Sequence, residues 1–252
     1  MGLNNAPSPV KPPDNGSGSP RSALVRYIYI DIVDFSVKRT IEAQSEILSA
    51  LNRIVGQSIS EHIVVSDQIL FLPTGDGICV CLIDLIHPFD LDISIAISVL
   101  ERVALFNRNQ VDSARRFELR IGVNENQDNL ITDIKGGLNV VGLGINLAQR
   151  VMSVASASGL YLGPSVFERL NQRELYSRLL KPIQAIVKHG ERLQCYEYSN
   201  PELPCFNTAG FTQGIDRSIP KPSARVIDLP SRSARKSPSQ GKQPPLPSFR
   251  IS

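Results

Sequence analysis

Two short segments of this 252-residue sequence each place an aspartate at the end of an apolar run, next to a turn. The first segment spans residues 29–36 and contains Asp31, and the second spans residues 72–78 and contains Asp76. A carboxylate buried there without a partner is strongly unfavourable, so two of them on neighbouring strands predict a shared divalent cation. Mg²⁺ or Mn²⁺, held by few carboxylates and completed by phosphate oxygens, is typical of nucleotide chemistry.

Strand and turn signals place both aspartates in the predicted structure. A run of β-branched and aromatic residues predicts a strand at Leu24–Ile32, and the apolar run Ile78–Ile83 after Thr-Gly-Asp-Gly predicts a hairpin. If these strands are neighbours, Asp31 and Asp76 would hold two cations about 3.5–4 Å apart, one polarising an attacking oxygen and one holding phosphates. Because Asp-Gly favours a hairpin turn by itself, an ordinary turn role for Asp76 stays open.

A third segment, at residues 139–150, runs from a predicted strand through a glycine into a helix predicted at Leu143–Val154. Asn146 and Arg150 are four residues apart, so they share one face of that helix. An amide that positions a sugar oxygen and a guanidinium that binds phosphate through two hydrogen bonds suit phosphoryl chemistry. Taken alone, the same pattern also fits an exposed polar helix face.

Composition divides the chain into three parts. Residues 1–22 and 201–252 are rich in Pro and Ser and are predicted to be disordered, whereas residues 23–200 contain the apolar runs of a folded domain. Between residues 213 and 252, eight basic side chains stand against two acidic ones, so the net charge of +3 belongs to the terminal segments. We therefore expect no nucleic-acid partner.

The order of predicted elements indicates an α+β fold. Strand, helix, two strands, helix and strand give a ferredoxin-like βαββαβ core with additional C-terminal α/β elements, in which helices cover one face of a mostly antiparallel sheet. The four cysteines lack metal-binding spacing and are predicted to be buried free thiols. No apolar run is long enough to cross a bilayer and no secretory signal is present, so we expect a cytoplasmic protein without a membrane partner.

Taken in this order, the three segments resemble class III nucleotidyl cyclases, the adenylate and guanylate cyclase homology domain. The resemblance implies that Asp31 and Asp76 are the metal-binding aspartates, with the carbonyl of Ile32 as a further ligand. It also implies two divalent cations, Mn²⁺ or Mg²⁺. Phe35 and Ser36 match the pair that opens the phosphate-binding turn of the family.

The resemblance covers about residues 23–200 and reaches the third segment. Asn146 and Arg150 match the Asn and Arg that stabilise the transition state, and Lys188 matches the phosphate-binding lysine unless a one- or two-residue shift puts Gly190 there. In the implied reaction, the ribose 3′-hydroxyl attacks the α-phosphate and pyrophosphate leaves. The family takes its aspartates from one chain and its Asn and Arg from another, so we expect a homodimer with two sites at the subunit interface.

Base recognition departs from the family pattern. Purine cyclases usually carry hydrogen-bonding residues at the positions of Leu72 and Asn139, and a leucine cannot hydrogen-bond a purine edge. A compact domain with an altered base pocket resembles the bacterial Pycsar pyrimidine cyclases, which make cyclic UMP or cyclic CMP for antiphage defence through a separate effector. We therefore expect UTP or CTP as the substrate, with Phe71, Leu72, Tyr27 or Tyr29 filling the space that a purine would occupy.

Two alternatives stay open at this point. An adenylate or guanylate cyclase with a non-standard base pocket would make a purine product. An inactive nucleotide-binding dimerisation module would keep the fold alone, although the intact set of Asp31, Asp76, Asn146 and Arg150 argues against it. A diguanylate cyclase should carry Gly-Gly-Asp/Glu-Glu-Phe at its hairpin, and residues 136–139 do not supply this sequence.

Overall fold

The computed structural model of the chain describes residues 21–63, 67–186, 191–206 and 225–226. Within these ranges the strands are β1 (Arg21–Ile32), β2 (Ile69–Pro73), β3 (Gly77–Ile83), β4 (Leu119–Thr132), β5 (Leu138–Val141), β6 (Gly159–Leu162), β7 (Leu180–Ile186), β8 (Arg192–Tyr198) and β9 (Arg225–Val226). The helices are α1 (Ile41–His62), α2 (Leu91–Asn109), α3 (Leu143–Val154), α4 (Pro164–Asn171) and α5 (Glu174–Ser177). Short 3₁₀ turns lie at Ser113–Arg115 and Pro204–Phe206.

One sheet contains all the described strands, in the order β2-β3-β1-β4-β6-β8-β7-β9, with β5 paired to β4. Strands β1 to β4 and helices α1 and α2 follow the predicted βαββαβ order. Each pairing among the described strands is antiparallel except that of β4 with β6. The predicted α+β class with a mostly antiparallel sheet is therefore confirmed.

Side-chain alternation along β1 divides the core into two layers. Ile28 packs in the layer that contains α1, α2 and α4, whereas Tyr27 packs in the layer that contains α3. The expectation that helices cover only one face was therefore wrong. Helix α3 can approach the second face because β4 carries Gly122, where a Cβ would lie 2.5 Å from the carbonyl oxygen of Ala148.

The first helix begins later than its sequence pattern suggests. Apolar spacing predicts a helix from Ser36, but α1 begins at Ile41. Thr40 caps this helix, because its Oγ1 accepts a 3.3 Å hydrogen bond from the amide of Ala43. Residues 33–40 are consequently a separate turn between β1 and α1.

The central pair of strands is longer than predicted. β4 continues to Thr132, although the apolar pattern ends at Val123, and β1 begins at Arg21 rather than Leu24. The polar second half of β4 pairs with the first half of β1 over residues 21–26. Backbone pairing thus fixes a strand whose side chains give no alternating apolar signal.

The four cysteines are buried and form no disulfide. Cys79 and Cys81 point to the same side of β3, with their sulfur atoms 4.0 Å apart. Burial raises the pKa of Cys195 and of Cys205 to about 12, so both stay protonated thiols at neutral pH. Within the described ranges, no helix combines the length and apolarity needed to span a membrane.

Candidate active site

Asp31 and Asp76 lie near each other, where β1 ends and the β2–β3 turn closes. In the strand register, Asp31 is opposite Gly77 on one side and Arg120 on the other. Gly77 has no space for a side chain, because a Cβ there would lie 2.2 Å from the carbonyl oxygen of Ile30. This close approach brings Asp76 near enough to Asp31 for their charges to interact.

The Asp31 carboxylate is nearly enclosed. Its side chain is 13% exposed, and its Oδ2 accepts a 2.7 Å hydrogen bond from Nε of Arg120. Burial raises the pKa of Asp31 above its usual value, the Arg120 contact opposes this effect, and the charge of Asp76 adds to it. Two carboxylates against one guanidinium leave a net negative charge, which a bound cation would neutralise.

The oxygen-only set of possible ligands fits Mg²⁺ or Mn²⁺. Asp31, Asp76 and the carbonyl of Ile32 are the groups that would hold the ion. Among the described residues no group of three or more His, Cys, Asp or Glu side chains could hold a metal ion, so phosphate oxygens would have to complete the coordination. The sequence signal for Arg120 is a positive charge between the apolar residues Leu119 and Ile121.

The turn at residues 33–40 carries the two residues expected to begin phosphate binding. Phe35 packs partly against the core beneath α1, and Ser36 is exposed. Asp34 and Lys38 have φ angles of 51° and 54°, in the left-handed region. Each such non-glycine residue costs about 1–2 kcal/mol, so contacts around the turn must hold it.

A buried polar cluster fixes the start of α3. Asp128, 3% exposed, accepts hydrogen bonds from the hydroxyl of Tyr27 at 2.6 Å and the amide of Gly144 at 3.0 Å. Asn124 donates a 3.1 Å hydrogen bond to the Gly144 carbonyl. A Cβ at Gly142 would lie 2.0 Å from Oδ1 of Asp128, which explains why the chain enters the helix through glycine.

Asn146 and Arg150 project from the exposed side of α3. The Asn146 amide donates a 3.1 Å hydrogen bond to the Gly142 carbonyl, and Nη1 of Arg150 donates a 2.6 Å hydrogen bond to Glu191. The register through β4, β6 and β8 separates Glu191 from Asp31 by roughly 26 Å along the strands. One chain therefore does not bring the carboxylate pair and the α3 pair together.

Leu72 lies on the face of the sheet that α3 covers. It is half-buried and packs in the same apolar cluster as Tyr29 and Ile145. Phe71 alternates to the other side of β2, and Tyr27 is fully buried with its hydroxyl bound to Asp128. Of the residues expected to fill the space of a purine, Leu72, Tyr27 and Tyr29 belong to one apolar cluster, and Phe71 lies on the other face of β2.

Asn139 lies in β5, the short strand that pairs with the second half of β4. It is half-buried, and its Oδ1 accepts a 2.8 Å hydrogen bond from the Val140 amide, which leaves the side-chain NH₂ group as its polar donor. β5 contacts β2, the strand of Leu72, although the two strands are not paired in the sheet. Lys188 and Gly190 lie outside the described residues, in the segment between β7 and β8.

No protein-family model and no curated protein sequence matches the chain. Solved structures do match it. The guanylate cyclase domain of RhGC from Catenaria anguillulae, in complex with GTP, is 17% identical, with a TM-score of 0.54, over 70% of this chain and 96% of that domain. The adenylyl cyclase CyaB from P. aeruginosa is 14% identical, with a TM-score of 0.53, over 73% of this chain and 97% of that one.

A third similar structure is the adenylate/guanylate cyclase/hydrolase from Silicibacter pomeroyi. It is 14% identical, with a TM-score of 0.56, over 72% of this chain and 99% of that one. The matches cover nearly all of each neighbour. This chain therefore has the fold of adenylyl and guanylyl cyclase catalytic domains.

Proposed function

We propose that the protein is a metal-dependent nucleotide cyclase that converts a nucleoside triphosphate into a 3′,5′-cyclic nucleotide and pyrophosphate. The observation that carries the proposal is the pair of carboxylates, Asp31 and Asp76, set beside Arg120 at the end of β1. The fold shared with adenylyl and guanylyl cyclase domains supports it.

The carboxylate end would bind the triphosphate. Asp31, Asp76 and the Ile32 carbonyl would hold two divalent cations, which supply polarisation of the attacking oxygen and neutralisation of phosphate charge. The turn that contains Phe35 and Ser36 follows directly and offers backbone amides to the phosphates. Arg120 adds positive charge beside the same carboxylates.

The exposed side of α3 would act on the reacting phosphorus. The Asn146 amide would orient the ribose, and the Arg150 guanidinium would stabilise the charge on the pentavalent phosphorus. The bond from O3′ to the α-phosphorus forms as the bond from that phosphorus to the pyrophosphate oxygen breaks. Because Asn146 and Arg150 project from the exposed side of α3, away from the sheet that carries the carboxylates, a second chain would supply these two groups.

A panel of four nucleotides tests the activity. Purified protein with Mn²⁺ receives ATP, GTP, CTP or UTP, and the products are separated by chromatography and identified by mass. Asp76→Ala serves as the blank. A cyclic nucleotide and pyrophosphate in equal amounts, absent from the blank, support the proposal. Absence of any cyclic product from the wild-type protein, at any nucleotide, contradicts it and leaves a nucleotide-binding module.

For the base, we propose a pyrimidine, with cyclic UMP or cyclic CMP as a messenger that acts on a separate effector in antiphage defence. Leu72 supports the choice of base, because an apolar side chain packed with Tyr29 gives no hydrogen bond to a purine edge. The messenger role rests on the resemblance to Pycsar cyclases. Leu72→Lys with Asn139→Asp should raise the purine-to-pyrimidine product ratio about tenfold or more. Phe71→Ala, on the other face of β2, is the matched control and should leave the ratio unchanged.

A purine substrate is the second candidate. One similar structure is described in complex with GTP and another is an adenylyl cyclase, and both have this fold. A cyclic AMP or cyclic GMP product in the four-nucleotide panel would keep the proposed reaction and overturn the base assignment that rests on Leu72.

A second copy of the chain is the proposed partner. Apolar side chains are exposed beside the site, along the β4–β5 hairpin and the first turn of α3: Ile131, Ile134, Val141 and Leu143 are 36%, 102%, 49% and 79% exposed. Such a patch is unusual on a monomer surface and fits an interface between chains. Leu143→Glu should give monomers in equilibrium sedimentation, whereas Leu105→Glu, at an exposed apolar position on α2, should not.

A further inference from the structure

Arg39 joins the turn after β1 to a distant loop. Its Nη1 donates hydrogen bonds to the carbonyl oxygens of Asp34 at 2.5 Å and Phe35 at 3.0 Å. Its Nε and Nη2 donate to the carbonyl oxygens of Ala114 at 3.3 Å and Arg116 at 3.1 Å. One half-buried guanidinium therefore binds four backbone carbonyls, two on each segment.

The turn needs such an external contact. Asp34 and Lys38 both adopt left-handed φ angles, which side chains other than glycine adopt rarely. Within the turn, the amide of Val37 donates a 3.1 Å hydrogen bond to the Asp34 carbonyl, the same oxygen that Arg39 binds. The guanidinium thus binds the Asp34 carbonyl oxygen, which also accepts the hydrogen bond within the turn.

The loop on the other side of Arg39 is fixed by its own contacts. Asp112 caps the 3₁₀ turn through a 2.9 Å hydrogen bond from the Ala114 amide. The side chain of Arg116 donates two hydrogen bonds to the Gln110 carbonyl, at 3.0 and 2.8 Å. The carbonyls that Arg39 binds on this side therefore belong to a rigid support next to β4.

We propose that Arg39 is a positioning residue that holds the turn at residues 33–40 in the conformation that binds the metal–triphosphate complex. This inference rests on the proposed function, because the turn contains Phe35 and follows the Ile32 carbonyl. Arg39 acts through the backbone, since its donors are directed at carbonyl oxygens of the protein. Its guanidinium couples the phosphate-binding turn to the loop that leads into β4, the strand of Arg120.

The test compares Arg39→Gln with the matched control Arg102→Gln. Arg102 also donates hydrogen bonds through its guanidinium, but its partners are the side chains of Gln57 and Glu61 on α1 and not the turn or the loop. Two measurements are made on each protein: the affinity for a Mn²⁺-bound non-hydrolysable nucleotide, by calorimetry, and backbone hydrogen exchange of the Val37 amide. Arg39→Lys keeps the charge and the alkyl stem, so it provides a folded variant if Arg39→Gln does not fold.

We expect Arg39→Gln to weaken nucleotide affinity about 10- to 100-fold and to speed exchange at Val37, while exchange in α3 stays unchanged. Arg39→Lys should lie between Arg39→Gln and the wild-type protein, and Arg102→Gln should match the wild type. Equal affinities in wild type and Arg39→Gln, or no affinity in the wild type, overturn the inference. Wild-type protein that binds the nucleotide but makes no cyclic product contradicts only the proposed function.

Discussion

Strand β1 carries two charged residues that are largely buried, Arg26 at its middle and Asp31 near its end, and the sets of charges around them differ in how the charge is compensated. In the first set Arg26, 3% exposed, is opposite Glu125, and Arg169 joins both Glu125 and the fully buried Asp92. In the second set Asp31 is opposite Arg120, with a second carboxylate, Asp76, near them. The first set contains two positive and two negative charges.

The difference between the two sets separates scaffold from chemistry. The set around Arg26 neutralises its own charges through ion pairs and joins β1, β4, α2 and α4. The set around Asp31 has one carboxylate in excess and lies at the edge of the sheet, so a cation and its phosphate ligands can complete it. Variants in the first set should therefore lose stability, and variants in the second set should lose activity.

The largest expected effect is in the balanced set of charges around Arg26. Asp92→Ala leaves Arg169 without one of its two carboxylate partners in the core, and breaking a buried ion pair costs about 3–5 kcal/mol of unfolding free energy. The measurement is urea denaturation. Activity per folded molecule should stay near the wild-type value. A variant of normal stability that has lost turnover would show that the charges around Arg26 serve the chemistry and not the scaffold.

The next largest effect is at the carboxylate end. Asp31→Asn should lower turnover by about 10²–10³, because a cation ligand is lost. The unfolding free energy should not fall much, since burial already disfavours the charged form of Asp31. Initial rates and urea midpoints on the same preparation measure both. If stability fell together with the rate, Asp31 would have a structural role as well.

The pH dependence of stability sharpens the contrast. The pKa of Asp31 is raised in the folded state, so the folded protein binds this proton more tightly than the unfolded chain does. Without metal, the resulting stabilisation is present below the unfolded value of about 4 and is lost as the pH rises through the raised pKa. Urea midpoints from pH 4 to 8 should show this loss in the wild type and not in Asp31→Asn. If the urea midpoint of the wild type rose with pH relative to that of Asp31→Asn, the raised pKa of Asp31 would be contradicted.

The smallest effect is expected for a charge pair outside both sets. Arg21 and Asp84 form a 3.2 Å ion pair whose side chains are 63% and 41% exposed. Exposed pairs contribute about 0–1 kcal/mol, so Arg21→Ala should change the urea midpoint little and the rate not at all. A loss as large as that of Asp92→Ala would mean that exposure does not distinguish the charge pairs of β1.

The apolar pattern of the sequence predicts the strands and helices well where one face is buried. It predicts α3 with its observed bounds, because apolar spacing and a preceding glycine mark that helix. It does not predict residues 124–129 of β4, whose polar side chains give no strand signal and which are held by pairing with β1. It also begins α1 too early, at Ser36, inside the turn at residues 33–40.

Candidate site residues are predictable from sequence where a motif marks them. Asp31 and Asp76 stand beside turn signals, but nothing local in the sequence marks Arg120 as the partner of Asp31, because that contact depends on strand register. Arg39 is likewise invisible, since its partners are backbone carbonyls of a loop more than 70 residues away. Roles that depend on long-range register or on backbone contacts require the structure.

The central claim is that the carboxylate end of one chain works with α3 of another. The direct measurement mixes two inactive variants, Asp76→Ala and Arg150→Ala, under conditions that exchange subunits, and follows cyclic nucleotide formation. Random pairing places one intact site in half of the dimers, so we predict that about a quarter of the wild-type activity returns. A mixture as inactive as either variant alone, with wild-type protein active under the same conditions, would contradict the claim.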